Sequence, residues 1–330
     1  MTRLKELLAI VEEAEAKFNK ERTILGAGIG NAEMIGTADT SDDTPSGDTS
    51  SGTACHLPLK GKALLVKGDN LELMKRMPAE SLQLVYIDPP FFSGANYRTS
   101  EKAEAYSDIW EGGLKEYLEM LAVRFFYIRE LLTDEGCLWV HLDWHAVHYV
   151  KIMLDEIFGA DNFVNEIVWQ YKSGGSCKRH FARKHDTLLF YSKSKRYYFN
   201  LPKEKSYNRG LKPYKFKGVE EFEDELGWYT MVNMKDVWQI DMVGRTSGER
   251  TGYATQKPEA LLTRIIESCS RPGDTVADFF GGSGTLAAVA AKTGRSFISC
   301  DIGSQALAAQ QSRLAALGTH FEFIDLEKRK

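Results

Sequence analysis

The stretch Thr275-Val276-Ala277-Asp278-Phe279-Phe280-Gly281-Gly282-Ser283-Gly284-Thr285 decides how this chain folds. Thr275 to Ala277 read as a short apolar strand, the glycines as a tight turn, and residues 285–292 as a helix that begins without a break. A glycine turn feeding a helix N-terminus lets a ligand approach the backbone closely. Beyond that helix the strand 296–301 ends in Asp301, where an acid in a parallel α/β sheet bonds ribose hydroxyls. The turn and Asp301 together make a nucleoside-binding half-site. Asp278 at the start of the turn repels phosphate and suits an ammonium, so the expected ligand is a cationic or zwitterionic nucleoside rather than a dinucleotide.

Working outward, the same alternation recurs on both sides. Strand-like 63–66, a helix near 70–78, strand 82–87, a long amphipathic helix 114–132, strand 138–142 and a helix 145–158 stopped by Gly159 precede the turn. Helix 257–269, strand 275–280, helix 285–292, strand 296–301, helix 303–316 and strand 320–325 complete the pattern. Strands alternating with helices predict a mostly parallel sheet with helices on both faces. Residues 164–171 and 187–191 read as further strands, with 196–199 as a hairpin partner across Ser192-Lys193-Ser194-Lys195.

Asp88-Pro89-Pro90-Phe91 stands at the carboxyl end of strand 82–87, where open parallel sheets bind their ligands. The prolines stiffen the turn and leave their carbonyls as acceptors without N–H groups of their own. Asp88 and the Pro89 carbonyl then form a fixed acceptor pair that suits a group with two N–H donors, such as an exocyclic amine. Phe91 supplies a flat face on which an extruded base can stack.

The 330 residues carry a net charge of −4, with 43% hydrophobic and 27% charged side chains, which excludes disordered and collagen-like classes. That balance conceals an asymmetry: residues 172–217 hold 14 Lys and Arg against only Asp186 and Glu204. Such a block is aimed at a polyanion, most often nucleic acid. The candidate contacts are Lys172, Lys178, Arg179, Arg183, Lys184, Lys193, Lys195 and Arg196, with aromatics interleaved. The five cysteines, Cys55, Cys137, Cys177, Cys269 and Cys300, are scattered and never spaced as Cys-x-x-Cys, against a disulfide scaffold or zinc ribbon. His141, Asp143, His145 and His148 crowd together, but Asp143 suits a helix N-cap, and no metal is expected. No apolar run is long enough to span a membrane and no secretory signal opens the chain, so a cytoplasmic location is expected.

Near the N-terminus, Leu4, Leu7, Leu8, Val11, Ala14 and Phe18 share one face of a helix, expected to pack on its own domain. Gly26-Ala27-Gly28-Ile29-Gly30 lacks the preceding strand that a dinucleotide site needs. Residues 36–53 contain no large apolar side chain and read as part of a flexible linker.

Asp-Pro-Pro-Phe followed by Asp-Phe-Phe-Gly-Gly-Ser-Gly-Thr resembles the S-adenosylmethionine-dependent amino-group DNA methyltransferases. With the amine motif first and the cofactor motif last, the order is that of the permuted beta group of adenine-N6 and cytosine-N4 enzymes. Gly68-Asp69-Asn70 and Thr255-Gln256-Lys257-Pro258 agree with it, and the similarity covers about residues 60–325. The resemblance implies a class I, Rossmann-like α/β methyltransferase fold with a small basic target-recognition insertion. It implies Asp88, Pro89, Pro90 and Phe91 at the target amine. Asp69, Asn70, Asp88, Gln256, Lys257, Asp278, Phe279, Phe280, Gly281, Gly282, Ser283, Gly284, Thr285 and Asp301 are implied at the cofactor, S-adenosylmethionine. It implies a target-amine half at 56–171, the insertion at 172–250 and a cofactor half at 251–330, while the N-terminal helix and arm at 1–35 and the linker at 36–55 have no counterpart in it.

Double-stranded DNA is the implied partner, with room left for a homodimer and a cognate restriction endonuclease. Asp rather than Ser at the head of the tetrapeptide favours adenine N6 over the alternative, cytosine N4. Phe279 stands where many relatives have Pro, and the short insertion argues against a long or composite recognition sequence. An RNA methyltransferase is a further alternative. An inert nucleic-acid-binding subunit would show decay in one of the motifs, and neither motif shows it.

Overall fold

The computed structural model describes residues 3–29, 61–94, 96–98, 104–108, 110–173 and 177–328. Helix α1 (Arg3–Ile29) leads to β1 (Ala63–Lys67), α2 (Asn70–Lys75), β2 (Leu82–Ile87), the short pair β3 (Asn96–Arg98) and β4 (Glu104–Ser107), then α3 (Gly113–Leu131) and β5 (Leu132–Leu142). There follow α4 (Val147–Phe158), β6 (Phe163–Gln170), β7 (His185–Ser192), β8 (Lys203–Tyr207), β9 (Phe222–Asp224), β10 (Gly227–Asn233) and β11 (Val237–Gln239). The chain ends with α5 (Glu259–Cys269), β12 (Thr275–Asp278), α6 (Thr285–Lys292), β13 (Ser296–Asp301), α7 (Ser304–Ala316) and β14 (Glu322–Asp325).

Among the described residues the central sheet has nine strands in the order β11-β6-β7-β5-β2-β12-β13-β1-β14. Every neighbouring pair is parallel except those made by β7, which runs against both β5 and β6. The sheet is buried on both faces because its strands are apolar at successive positions. In β2, Val85 and Ile87 join a core shared with α1–α4, while Leu84 and Tyr86 join one shared with α5 and α6. Helix α1 packs on α3, with Leu7, Ile10, Val11 and Ala14 buried and the Phe18 ring 4.9 Å from that of Tyr127. Its apolar face is thus covered by its own domain, although Leu4 stays exposed. Gly26 to Ile29 belong to this helix, so they form no nucleotide loop; Gly30 and the expected linker 36–55 lie outside the described residues.

Two expectations fail in the basic segment. Residues 196–199 form no strand; the Tyr198 N–H instead donates to the Glu135 carbonyl at 3.0 Å. Nor is 172–250 an insertion throughout. The apolar run Leu188 to Tyr191 is buried on both faces as a central strand, and only β8, β10 and β9 form a separate three-stranded sheet. Strand 275–280 also stops early, at Asp278, where the glycine turn takes over.

Candidate active site

Parallel strands place all their carboxyl ends along one edge, and β2 and β12 are neighbours there with Asp278 in register with Tyr86. Motifs from opposite ends of the sequence therefore meet. A cavity of about 310 Å³ opens at this edge, lined by Asp88, Pro89, Phe91, Asp278, Gly282 and Asp301 among others. It sits at the small end of the range for small-molecule sites, roughly 300–1,000 Å³.

Asp88 follows β2 directly. Its Oδ2 is paired with the Lys257 ammonium, which also lies 5.1 Å from the centre of the Phe91 ring. Its Oδ1 is buried and accepts no hydrogen bond among the described residues. A bare buried carboxylate oxygen costs free energy unless a donor arrives from outside. Phe91 packs beside it, 5.6 Å from the His141 ring.

The glycine turn is braced from below. Asp301 accepts the Gly282 N–H at 2.8 Å and the Gly303 N–H at 2.7 Å, so the two strand ends share one carboxylate. Burial pushes the Asp301 carboxyl up, against the pull of those N–H groups. Asp278 accepts the Phe280 N–H at 2.9 Å. Its carboxyl is held well above the usual range, first by burial, with Asp88 and Asp301 adding to the push. Asp69, Asp88, Asp278 and Asp301 line the cavity against two cations, Lys257 and Arg124. An excess of carboxylate, with Asp69 exposed and Asp278 deepest, suits a cationic ligand, and the residues present fit S-adenosylmethionine: Asp278 for its ammonium and Asp301 for its ribose.

Several expected cofactor residues act at one remove. Asp69 caps α2 by accepting the Leu71 N–H at 2.8 Å and pairs with Arg124 at 3.1 Å. Asn70 donates to the Phe279 carbonyl at 2.7 Å, tying the first corner of the sheet to the glycine turn. Both still line the cavity, as do Phe279, Phe280, Gly281, Ser283, Thr285 and Lys257, with Pro90 beside the target motif. Thr285 donates to the Lys257 carbonyl at 2.9 Å and so links the turn to the partner of Asp88. Gln256 does not line the cavity. Its Oε1 accepts from Thr251 N at 2.8 Å and its Nε2 donates to the Glu249 carbonyl at 2.6 Å, which spends the side chain on its own loop. Gly284 is also set back, with φ 73° at the cap of α6 against Gln310.

The basic candidates divide. Lys172, Lys178, Arg179, Arg183 and Lys184 lie between β6 and β7, at the cavity's edge of the sheet. Arg183 stacks on exposed Trp144 with its guanidinium carbon 4.1 Å from the ring centre, and Lys184 donates to the Ser173 carbonyl at 2.9 Å. Lys193, Lys195 and Arg196 are at the opposite edge, because β7 runs backwards: Thr187, near its start, pairs with Leu142 at the cavity's end of β5, and its last residue, Ser192, pairs with Cys137. Lys193 donates to the Leu132 carbonyl at 3.0 Å, Lys195 to the Asp161 carbonyl, and Arg196 pairs with Asp134 at 2.6 Å. These three brace strand ends and stand away from the site.

Sequence reasoning missed Asp108, His141 and Asp186 as parts of this site. Buried Asp108 accepts from Phe92 N at 3.0 Å, Ser93 N at 2.6 Å and Trp110 Nε1 at 3.1 Å, which holds Phe92 at φ 61° directly after the tetrapeptide. No local pattern marks it. His141 was legible only as one of a histidine crowd, yet it is fully buried, with Nδ1 2.8 Å from the Tyr86 hydroxyl and Nε2 3.2 Å from Asp186. Asp143, expected at an N-cap, accepts from His145 N at 2.9 Å and from its ring, while α4 begins later, at Val147.

The sequence matches the DNA methylase family (N6_N4_Mtase) over residues 82–312. It is 28% identical over 273 residues to the DNA adenine methyltransferase YhdJ of Escherichia coli (strain K12), a match covering 81% of this chain and 87% of that one. It is 28% identical over 268 residues to the type II methyltransferase M2.DpnII of Streptococcus pneumoniae, covering 78% and 91%. Of solved structures, the PvuII DNA methyltransferase (cytosine-N4-specific) superposes with a TM-score of 0.55 at 19% identity, over 81% of this chain and 99% of that one. The M1.HpyAVI–SAM complex does so with 0.51 at 19% identity, over 76% and 98%. The fold is shared with both of these, and the family match spans the strand before Asp88, the glycine turn and Asp301 in one run: this chain belongs to the DNA methylase family.

Proposed function

We propose that this protein methylates the N6 amine of adenine in double-stranded DNA, with S-adenosylmethionine as donor, in the cytoplasm of a bacterium. The observation that carries the reading is the bare Oδ1 of Asp88 beside a cavity it shares with Asp278, Gly282 and Asp301. When bound, S-adenosylmethionine supplies a methyl group already activated on a sulfonium. The chain's own task is placement. An exocyclic amine is a poor nucleophile while its lone pair is delocalised into the ring. Accepting its two N–H groups at Asp88 Oδ1 and the Pro89 carbonyl favours a pyramidal nitrogen and absorbs the charge that develops on it. Lys257 holds the other oxygen of Asp88 and so fixes the direction of the first. Phe91 offers a face for the base, which must leave the duplex to reach a cavity at the strand ends. The amine proton passes to Asp88 or to water.

Adenine is favoured over cytosine by Asp88 at the head of the tetrapeptide and by the adenine specificity in the name of YhdJ. The type II name of M2.DpnII supports a restriction–modification setting for this activity. A homodimer would need a surface other than the apolar face of α1, which α3 already covers.

The test is methylation of duplex DNA followed by mass spectrometry of its nucleosides, for the wild type and Asp88→Ala. N6-methyladenine is expected from the wild type. Asp88→Ala should bind S-adenosylmethionine but lose transfer by roughly a hundredfold or more, since one preorganised group of this kind is worth about 3 kcal/mol. N4-methylcytosine as sole product would overturn the choice of base, methylation of RNA alone the choice of substrate, and a fully active variant the role of Asp88.

A further inference from the structure

The chemistry above leaves one buried polar chain unused. His141 on β5 is enclosed by groups from three other strands. Tyr86 of β2 lies 2.8 Å from its Nδ1, Asp186 of β7 lies 3.2 Å from its Nε2, and Trp169 of β6 meets its ring edge-on at 5.3 Å. Phe91 packs on it from the turn after β2, and Asp88 Oδ1 is 3.8 Å from Nδ1. Behind Asp186 the Tyr171 hydroxyl donates to its other oxygen at 3.0 Å. The further charges in range are Lys257, paired with Asp88, Asp143 just after β5, and Asp278, whose charge reaches Tyr86. Side chains two apart on a strand share a face, so β2 presents Tyr86 and Asp88 to His141 together.

Which nitrogen of His141 carries hydrogen follows from its neighbours. Burial works to raise the Asp186 carboxyl, but the hydrogen bonds from His141 and Tyr171 and the charge of Lys257 hold it below its usual value. An ionised carboxylate only accepts, so Nε2 must donate to it. The neutral ring then has a lone pair on Nδ1, which accepts from the Tyr86 hydroxyl. In that state neither Tyr86 nor His141 has a hydrogen to give Asp88 Oδ1.

We propose that the chain Asp186–His141–Tyr86 is a positioning device that keeps Asp88 Oδ1 open for the target amine, by fixing His141 as its Nε2–H tautomer. The proposal rests on the role of Asp88 given above. With the opposite tautomer a hydrogen on Nδ1 faces Tyr86 and Asp88 Oδ1 together and competes with the substrate for that oxygen. A purely structural chain would instead brace the sheet where β7 reverses direction, and its loss would weaken folding and ligand binding alike.

Asp186→Asn separates these. Its Oδ1 keeps the Tyr171 hydroxyl, which turns the amide toward His141, makes Nε2 an acceptor and moves the ring hydrogen to Nδ1. The measurements are the single-turnover rate on duplex DNA, S-adenosylmethionine affinity by calorimetry and the ¹⁵N shifts of the His141 ring. The expected result is an unchanged affinity, an Nδ1–H tautomer and a rate lowered by between roughly tenfold and 10⁴-fold, the upper figure being the cost of the same error in a Ser-His-Asp triad. A rate within threefold of wild type overturns the proposal. So does a slow variant that keeps the Nε2–H ring, or one that loses cofactor affinity in step with rate. A wild type that transfers no methyl to DNA fails the functional reading instead.

Discussion

Asp278 is a carboxyl group that the fold holds in an unfavourable place. It is buried at the end of β12, and burial, then the charges of Asp88 and Asp301, keep it well above its ordinary value against the pull of the Phe280 N–H. Its proton leaves the unfolded chain near pH 4 but leaves the folded chain only at higher pH, so above about pH 4 the group works against folding. Asp278→Asn should therefore raise the melting temperature of the ligand-free protein at neutral pH. A bound cation reverses the sign, because it favours the ionised carboxylate. In the wild type, S-adenosylmethionine affinity should weaken on acidification, beginning above the ordinary carboxylate range. In Asp278→Asn that step should vanish and affinity at neutral pH should drop by roughly tenfold or more, since a hydrogen bond to a charged group is worth about 1.5–3 kcal/mol. Thermal melts and calorimetry over a pH series read both effects. A variant with wild-type affinity and wild-type pH dependence takes Asp278 out of the site.

At the scale of elements, the glycine turn is held between β12, α6 and α7 with no room to spare. A Cβ on Gly284 would come within 2.8 Å of Gln310 Cγ, at φ 73°, where a β-branched residue is strained. Gln310 cannot yield easily: it is buried, accepts from Ser299 Oγ at 2.7 Å and donates to the Gly282 carbonyl at 3.2 Å. Gly284→Val should lower stability by about 2–5 kcal/mol in urea and abolish measurable S-adenosylmethionine binding, as the displaced turn loses its bond to Asp301. Unchanged affinity would remove the turn from the site. This element was legible because strand, turn and helix are consecutive and each carries its own pattern. The Asp186–His141 contact was not, since its partners come from separate strands and β7 reads, by composition, as part of a basic block. Gln256 shows the converse. Its motif marked the right loop, but which side chain of a loop turns inward depends on hydrogen bonds such as those from Thr251, which spacing does not encode.

For the molecule as a whole, the direction of strands decides where charge is useful. A parallel sheet puts Asp88 and Asp278 at one edge although the chain separates them widely, and the order of motifs in the sequence was enough to anticipate it. The reversal of β7 could not be read that way, and it carries Lys193, Lys195 and Arg196 to the other edge, roughly 20 Å away across strands of about six residues. Counting charges along residues 172–217 merges two populations that the fold separates. On the proposed function, a duplex that delivers a base to the cavity should lie against the edge holding Lys178, Arg179 and Arg183, beside Trp144 and the fully exposed Phe181. Reversing those three to Glu should weaken DNA binding and lower the slope of log affinity against log salt by about 1 for each phosphate that is no longer neutralised. Reversing Lys195 and Arg196 should leave both quantities nearly unchanged, because their cations are spent on the Asp161 carbonyl and on Asp134. Fluorescence anisotropy titrations at several salt concentrations compare the two sets directly. Equal weakening from both would mean that the duplex runs along the flank of the sheet, touching both edges, and the cavity would then have to receive its base from the side.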